Sequence, residues 1–166
     1  MSDFTGLESL SPPELLEMHA AISGELRRRG LTRTANNPLG DFAEHLFCKA
    51  FGWDLAPNSM READATDREG VRYQIKARRL DNPSSSRQLS ALRNLQSPGF
   101  DVLATALFDQ KYRMIRAALI PHARVLTLAK YGEHTNSWRF MLADAVWAHP
   151  DVRDVTDEIR GAMLVW

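Results

Sequence analysis

The segment DVLATALF, residues 101–108, is the feature that most restricts how this chain can fold. It is almost continuously apolar, which is typical of a central strand buried on both of its faces. The polar sequence DQKY follows it and indicates a turn. The apolar run RMIRAALIP then predicts a second strand that ends at Pro121.

Two helices are expected before these strands. SPPE, residues 11–14, has the pattern of a capping box, with Ser11 as the cap, Pro12 as the first helical residue and Glu14 as the third. Apolar residues then follow at helical spacing, namely Leu15, Met18, Ile22 and Leu26. The basic run LRRRG ends the helix. After a loop over residues 33–40, a second helix is predicted from about Asp41 to Phe51, with a buried stripe of Ala43, Leu46, Phe47 and Ala50.

After Gly52 the spacing of the apolar residues changes from that of a helix to that of strands. WDLAPN is compatible with a short strand, DREG at 67–70 indicates a turn, and VRYQIKAR predicts a longer strand. Alternation places Tyr73, Ile75 and Ala77 on one face of that strand, with Gln74 and Lys76 on the other.

The rest of the chain gives weaker signals. LDNPSSSRQ is expected to be a loop, QLSALRNL a short helix, HARVLTLAKY a helix, HTNSWRFML a loop with a short strand, and VTDEIRGAM a terminal helix. The order of elements favours an α/β fold with mixed strands. We expect a single domain over 1–166, with an N-terminal helical segment (1–35), a core (38–120) and C-terminal helices (121–166).

Composition narrows the class of protein without identifying a partner. The 166 residues carry 21 basic and 21 acidic side chains, so the formal net charge is zero, and 44% of the residues are hydrophobic. One compact soluble domain is the expected result. The single cysteine, Cys48, excludes an intrachain disulfide and any multi-cysteine metal site. No signal pattern or membrane-length apolar run is present, so a cytoplasmic protein without a membrane partner is predicted.

Several polar side chains are expected to converge around the DREG turn. Antiparallel pairing across the turn would bring Asp64 near Gln74, and Lys76 would follow about 7 Å farther along the same face. Glu44 lies beside the buried stripe of the second helix and is expected to point along the sheet edge. The Asp64 carboxylate, the Gln74 side-chain oxygen and the Ile75 carbonyl are the oxygen ligands that Mg²⁺ prefers. A solvated hairpin face beside an ordinary helical glutamate is the alternative interpretation.

These pieces together resemble the PD-(D/E)xK nuclease superfamily, whose fold is that of the restriction endonucleases. The matching segments are GDFAEHLFCKAFG, READATD and GVRYQIKARR, within a region of roughly residues 38–120. Two departures from the family pattern are Ala63 in place of proline before Asp64, and Gln74 in place of a carboxylate. The Mrr-like restriction enzymes look similar in using glutamine at that position.

The resemblance implies a restriction-endonuclease-like mixed β-sheet flanked by helices, and a nuclease that hydrolyses DNA, or less often RNA, with Mg²⁺ or Mn²⁺. Carried over to this chain, the catalytic residues are Glu44, Asp64, Gln74 and Lys76. Asp64 and Gln74 would hold the metal together with the Ile75 carbonyl, and Lys76 would act on the attacking water.

Basic residues near this region are candidate contacts to nucleic-acid phosphates, namely Arg78, Arg79, Arg87 and Arg93. Ordinary exposed charges are an equally good interpretation of them. Because Gln74 removes a charge, a catalytically degenerate module that binds DNA or a partner protein is the alternative to an enzyme. The chain is expected to act either as a homodimer or together with a separate targeting subunit, and the sequence does not distinguish the two.

Overall fold

A computed structural model describes residues 6–33, 37–57, 63–97 and 99–165 of the chain, and it has an α/β architecture. The predicted fold class, a mixed β-sheet flanked by helices, is confirmed. The helices are α1 (Pro12–Arg28), α2 (Leu39–Phe51), α3 (His122–Leu128) and α4 (Thr156–Leu164). The strands are β1 (Asp54–Leu55), β2 (Ala65–Thr66), β3 (Arg72–Arg79), β4 (Val102–Phe108), β5 (Met114–Pro121), β6 (Lys130–Gly132), β7 (Ser137–Arg139) and β8 (Arg153–Asp154).

Six strands form the main sheet in the order β1-β2-β3-β4-β5-β8. β3 and β4 are parallel, whereas every other neighbouring pair in this sheet is antiparallel. The predicted turn between β2 and β3 is present, and Gly70 adopts a φ of +83° there, where a side chain would be strained. The remaining strands, β6 and β7, form a separate hairpin.

The apolar pattern of β4 explains why it lies at the centre of the molecule. Its residues from Leu103 to Phe108 are all buried, as predicted for a strand covered on both faces. One face packs with α2 and α4, through residues such as Phe47 and Ile159. The other face packs with α3 and with the 89–95 and 140–146 segments, through residues such as Leu92 and Phe140. The sheet is thus the middle layer of the fold.

The two predicted helices near the start of the chain are confirmed. In α1, the capping box forms as expected, because Glu14 accepts hydrogen bonds from both the backbone N–H and the hydroxyl of Ser11. In α2, Ala43, Leu46 and Phe47 are buried, and Ala50 is partly buried. α1, in contrast, contains no buried residue.

The short helix predicted for QLSALRNL, residues 88–95, is wrong. The N–H groups of Leu89 and Leu92 donate to the carbonyls of Phe140 and Trp138, at 3.0 Å in each case. This pairing with a distant segment satisfies the backbone in an extended form while Leu89, Leu92 and Leu95 become buried. Tertiary pairing has therefore replaced the local helical preference.

The C-terminal segment, 121–166, contains strands as well as the predicted helices, and the short strand expected in HTNSWRFML corresponds to β7. α3 and α4 are present, but the β6–β7 hairpin and the edge strand β8 lie between them. β8 pairs with β5 through Ala118 and Leu119. The main sheet therefore extends beyond the predicted core of residues 38–120.

None of the helices in the described ranges combines the length and the apolar character that crossing a bilayer requires.

Candidate functional site

Asp64 and Gln74 meet at the end of the short strand β2, as the sequence predicts. The pairing of Ala65 with Tyr73 fixes the register, and the N–H of Asp64 donates to the Tyr73 carbonyl at 2.8 Å. The Asp64 carboxylate then accepts two hydrogen bonds through Oδ2, one from Gln74 Nε2 and one from the Ile75 N–H at 2.7 Å. Both side chains are partly buried.

This arrangement brings together three residues that carry oxygen donors. Because Gln74 uses its amide nitrogen toward Asp64, its Oε1 remains available as a ligand. The N–H of Ile75 points away from β4 toward Asp64, and the carbonyl of a strand residue points to the same side as its N–H. Among the described residues, Asp64 Oδ1 accepts no hydrogen bond.

Lys76 lies on the same face of β3 as Gln74, two residues farther along. In the part of the chain that the structure describes, its ammonium group forms no hydrogen bond or ion pair. Its charge acts on Glu44, whose pKa it lowers in part. Lys76 is therefore close to the acidic groups without being neutralised by direct contact with one of them.

Glu44 is held at the site by a residue that the sequence did not identify, Arg33. The Arg33 guanidinium forms an ion pair with Glu44 through Nη2 and donates through Nη1 to the Ala56 carbonyl at 3.1 Å. Its backbone N–H donates to Asp41 at 2.7 Å, and its Nε lies 3.8 Å from the same carboxylate. Arg33 falls in a predicted loop with no periodic pattern, so no local signal marks it.

The Glu44 carboxyl is partly buried among charges of both signs. Burial raises its pKa most, the Asp64 and Asp41 carboxylates raise it further, and Arg33 and Lys76 lower it, which leaves a pKa of about 7. With all five groups ionised, the cluster carries one excess negative charge. A divalent cation would relieve this repulsion, since it favours the ionised carboxylates.

Replacing Glu44 with glutamine is expected to remove a pH dependence of stability. The folded pKa of about 7 exceeds the usual 4.5, so the folded state binds more protons between these values. The contribution of Glu44 to stability is therefore full below pH 4.5 and is lost as the pH rises through 7. Urea unfolding without metal, from about pH 5 to about pH 8, should show the two proteins diverging by up to about 3 kcal/mol. Parallel curves for the wild type and E44Q would contradict the assignment.

Cys48 lies one helical turn after Glu44 but does not have the properties of a nucleophile. Burial raises its pKa to about 11, and the negative charge of Glu44 raises it in addition. The thiol therefore stays protonated at neutral pH, which agrees with the packed role expected from the sequence.

The four predicted phosphate-binding arginines are not equivalent. Arg78 shares the face of Gln74 and Lys76, is exposed, and donates to the Ser86 carbonyl at 3.2 Å. Arg79 points to the opposite face of β3, over the Tyr112 ring. Arg87 forms an ion pair with Asp144 at 2.7 Å, and Arg93 is exposed. Of these four arginines, only Arg78 lies on the same face of β3 as the candidate catalytic residues Gln74 and Lys76.

The groups around Asp64 that could hold a metal are oxygen donors. Across residues 6–33, 37–57, 63–97 and 99–165, no three His, Cys, Asp or Glu side chains are close enough to hold a metal. The hydrogen bonds of Asp64 instead join residues that carry one carboxylate, one amide oxygen and one backbone carbonyl, namely Asp64, Gln74 and Ile75. Oxygen donors of this mixed kind suit Mg²⁺ or Mn²⁺, which keep several water ligands.

Comparison of the sequence with protein-family models gave no match. A search of curated proteins likewise found no similar sequence.

Proposed function

We propose that this protein is a divalent-metal-dependent nuclease that hydrolyses phosphodiester bonds in DNA. The observation that carries the proposal is the contact of Asp64 with both Gln74 and Ile75, with Lys76 next on the same face. With a metal held there, this juxtaposition would place the ion and a positively charged group side by side. Phosphodiester hydrolysis needs both, because negative charge develops on the phosphate as water attacks.

Each residue has a distinct role in this proposal. Asp64, the Gln74 side-chain oxygen and the Ile75 carbonyl would hold Mg²⁺ or Mn²⁺, which when bound lowers the pKa of a coordinated water and polarises the phosphate. Lys76 orients the attacking water and stabilises charge on the phosphate oxygens. Glu44 supplies the negative charge that Gln74 lacks, and Arg33 keeps that carboxylate in position.

Arg78 is the residue best suited to contact a backbone phosphate of the substrate. It is exposed on the face that carries Gln74 and Lys76, so a strand bound at the site would pass near it. RNA offers the same phosphates, and comparing cleavage of matched DNA and RNA oligonucleotides distinguishes the two substrates. The proposed location is the cytoplasm, which agrees with a single cysteine and no intrachain disulfide.

The second candidate function is a non-enzymatic module of the same architecture that binds DNA or a partner protein. Two observations favour it: Gln74 brings no charge to the metal site, and Glu44 is already paired with Arg33. In such a module the ion pair would substitute for the metal.

Metal titration of the wild type and the Gln74→Glu variant separates the two functions. For the nuclease, we expect calorimetry to detect Mn²⁺ binding in the wild type, and tighter binding in Q74E, because a second carboxylate adds charge to the donor set. Binding confined to Q74E would favour the degenerate module.

A further inference from the structure

α1 exposes an apolar face that no other described element buries. This α1 face consists of Leu15, Met18, Ile22 and Leu26, with His19 beside them. Leu15 is 39% exposed, Met18 41% and Ile22 55%. Monomeric proteins seldom leave several large apolar side chains exposed along one helix, so this face is expected to meet a partner.

The second half of α1 also borders a cavity of about 640 Å³. Ile22 and Leu26 form one wall, and Leu31, Phe42 and Tyr112 belong to the other. Every residue from 11 to 20, in the first half of the helix, is exposed. The second half of the helix, together with His19, therefore lies beside an apolar cavity, whereas residues 11–18 are exposed and do not line it.

Two pairs of positions on α1 are symmetric about the point between Ala20 and Ala21, namely 15 with 26 and 19 with 22, whereas Met18 falls opposite Ser23. If a second α1 runs antiparallel about that point, Leu15 lies opposite Leu26 of the other copy, and His19 lies opposite Ile22. The exposed first half of each helix then reaches the cavity bordered by the other copy. A two-fold axis requires this self-complementarity, because the same surface must serve both chains.

The charges of α1 complement each other in the same arrangement. In this register Glu14 of one helix lies opposite Arg27 of the other, since both are equally far from the midpoint. Glu25, at the basic end, already forms ion pairs with Arg28 and Arg29 of its own chain. Antiparallel pairing brings the acidic end of one helix beside the basic end of the other, and it also opposes the two helix dipoles. A parallel pair would instead bring like charges together.

We propose that two copies of this chain form a symmetric dimer through antiparallel α1 helices. Leu15 and Met18 of each copy enter the region of the cavity beside Ile22 and Leu26 of the other. The pairing does not depend on the chemistry at Asp64, and it goes beyond the proposed function because it gives one assembly two candidate sites.

Sedimentation of the full-length chain tests the proposal. The wild type should have twice the 18.8 kDa mass of one chain. Ile22→Lys should raise the dissociation constant by about 100-fold or more, because each dimer then carries two lysines at its centre. Gly24→Lys is the matched control: it adds the same charge on the opposite face of α1, where a side chain meets no neighbouring atom, and it should leave the dimer intact. Circular dichroism checks that both variants fold.

Cysteine cross-linking in a Cys48→Ala background tests the orientation. Chains with Leu15→Cys mixed with chains with Leu26→Cys should form a disulfide-linked pair, whereas neither should cross-link alone. Efficient cross-linking of Leu15→Cys with itself would show parallel helices and overturn the proposal. A monomeric wild type, including one that captures a different protein, would overturn it as well, as would a dimer unaffected by I22K.

Discussion

Replacing Lys76 with alanine is expected to abolish phosphodiester cleavage while leaving the fold intact. The Lys76 side chain forms no ion pair or hydrogen bond among the described residues, so its removal breaks no observed contact. Its charge acts on Glu44, and its side chain shares a face of β3 with Gln74. Loss of a group that positions the attacking water typically lowers the rate by about 10²–10⁴-fold. Cleavage of a labelled DNA duplex with Mg²⁺ or Mn²⁺ measures the change.

Lys111→Ala is the matched control, since it removes an exposed lysine in the turn between β4 and β5. We expect K111A to cleave at the wild-type rate, and both variants to unfold at the wild-type temperature. Unchanged cleavage by K76A would reject the role of Lys76, and loss of cleavage in both variants would indicate a general effect of positive charge.

The second large effect is expected for Asp64→Asn. The asparagine oxygen can still accept the Ile75 N–H, so the register of β2 and β3 is preserved. The variant loses the only carboxylate of the proposed metal ligands, and we expect the Mn²⁺ affinity to fall by about 100-fold or more. Calorimetry measures the affinity, and the cleavage assay should show a parallel loss.

Asp81→Asn controls for the loss of a negative charge. Asp81 is exposed just after β3, and its side chain forms a 3.6 Å ion pair with Arg79. D81N should bind Mn²⁺ as the wild type does. If D64N binds Mn²⁺ as tightly as D81N, the ion is held elsewhere.

The sequence predicted the centre of the fold because strong patterns lie there. The continuous apolar run of β4 and the alternation in β3 each determine burial without help from distant residues. The contact between Asp64 and Gln74 was predictable for the same reason: a short turn and antiparallel pairing determine which residues of a hairpin are neighbours.

The sequence did not predict features that depend on contacts between residues far apart in the chain. Leu89 and Leu92 follow a spacing that suits a helix, but their backbone pairs with residues near Phe140, far along the chain. Arg33 reaches Glu44 from a loop, and no periodicity reports such a contact. The spacing of the α1 face predicted the helix correctly, yet it could not show that no described element covers Ile22.

Gln74 is the residue on which the choice between enzyme and module depends. Its amide joins Asp64 without adding negative charge, so the site has one carboxylate fewer than it would have with an acid at this position. The partly buried Glu44, with its raised pKa, is the nearest source of compensation. We therefore expect metal binding and cleavage to weaken as Glu44 becomes protonated below about pH 7.

The most direct test of the account is the anomalous density of a crystal soaked with Mn²⁺. We expect one peak about 2.0–2.4 Å from the oxygens of Asp64, Gln74 and Ile75, with Lys76 close to a water bound to the ion. A Mn²⁺ peak at another position, or a saturating soak that leaves these three oxygens without a peak, would contradict the proposed metal site.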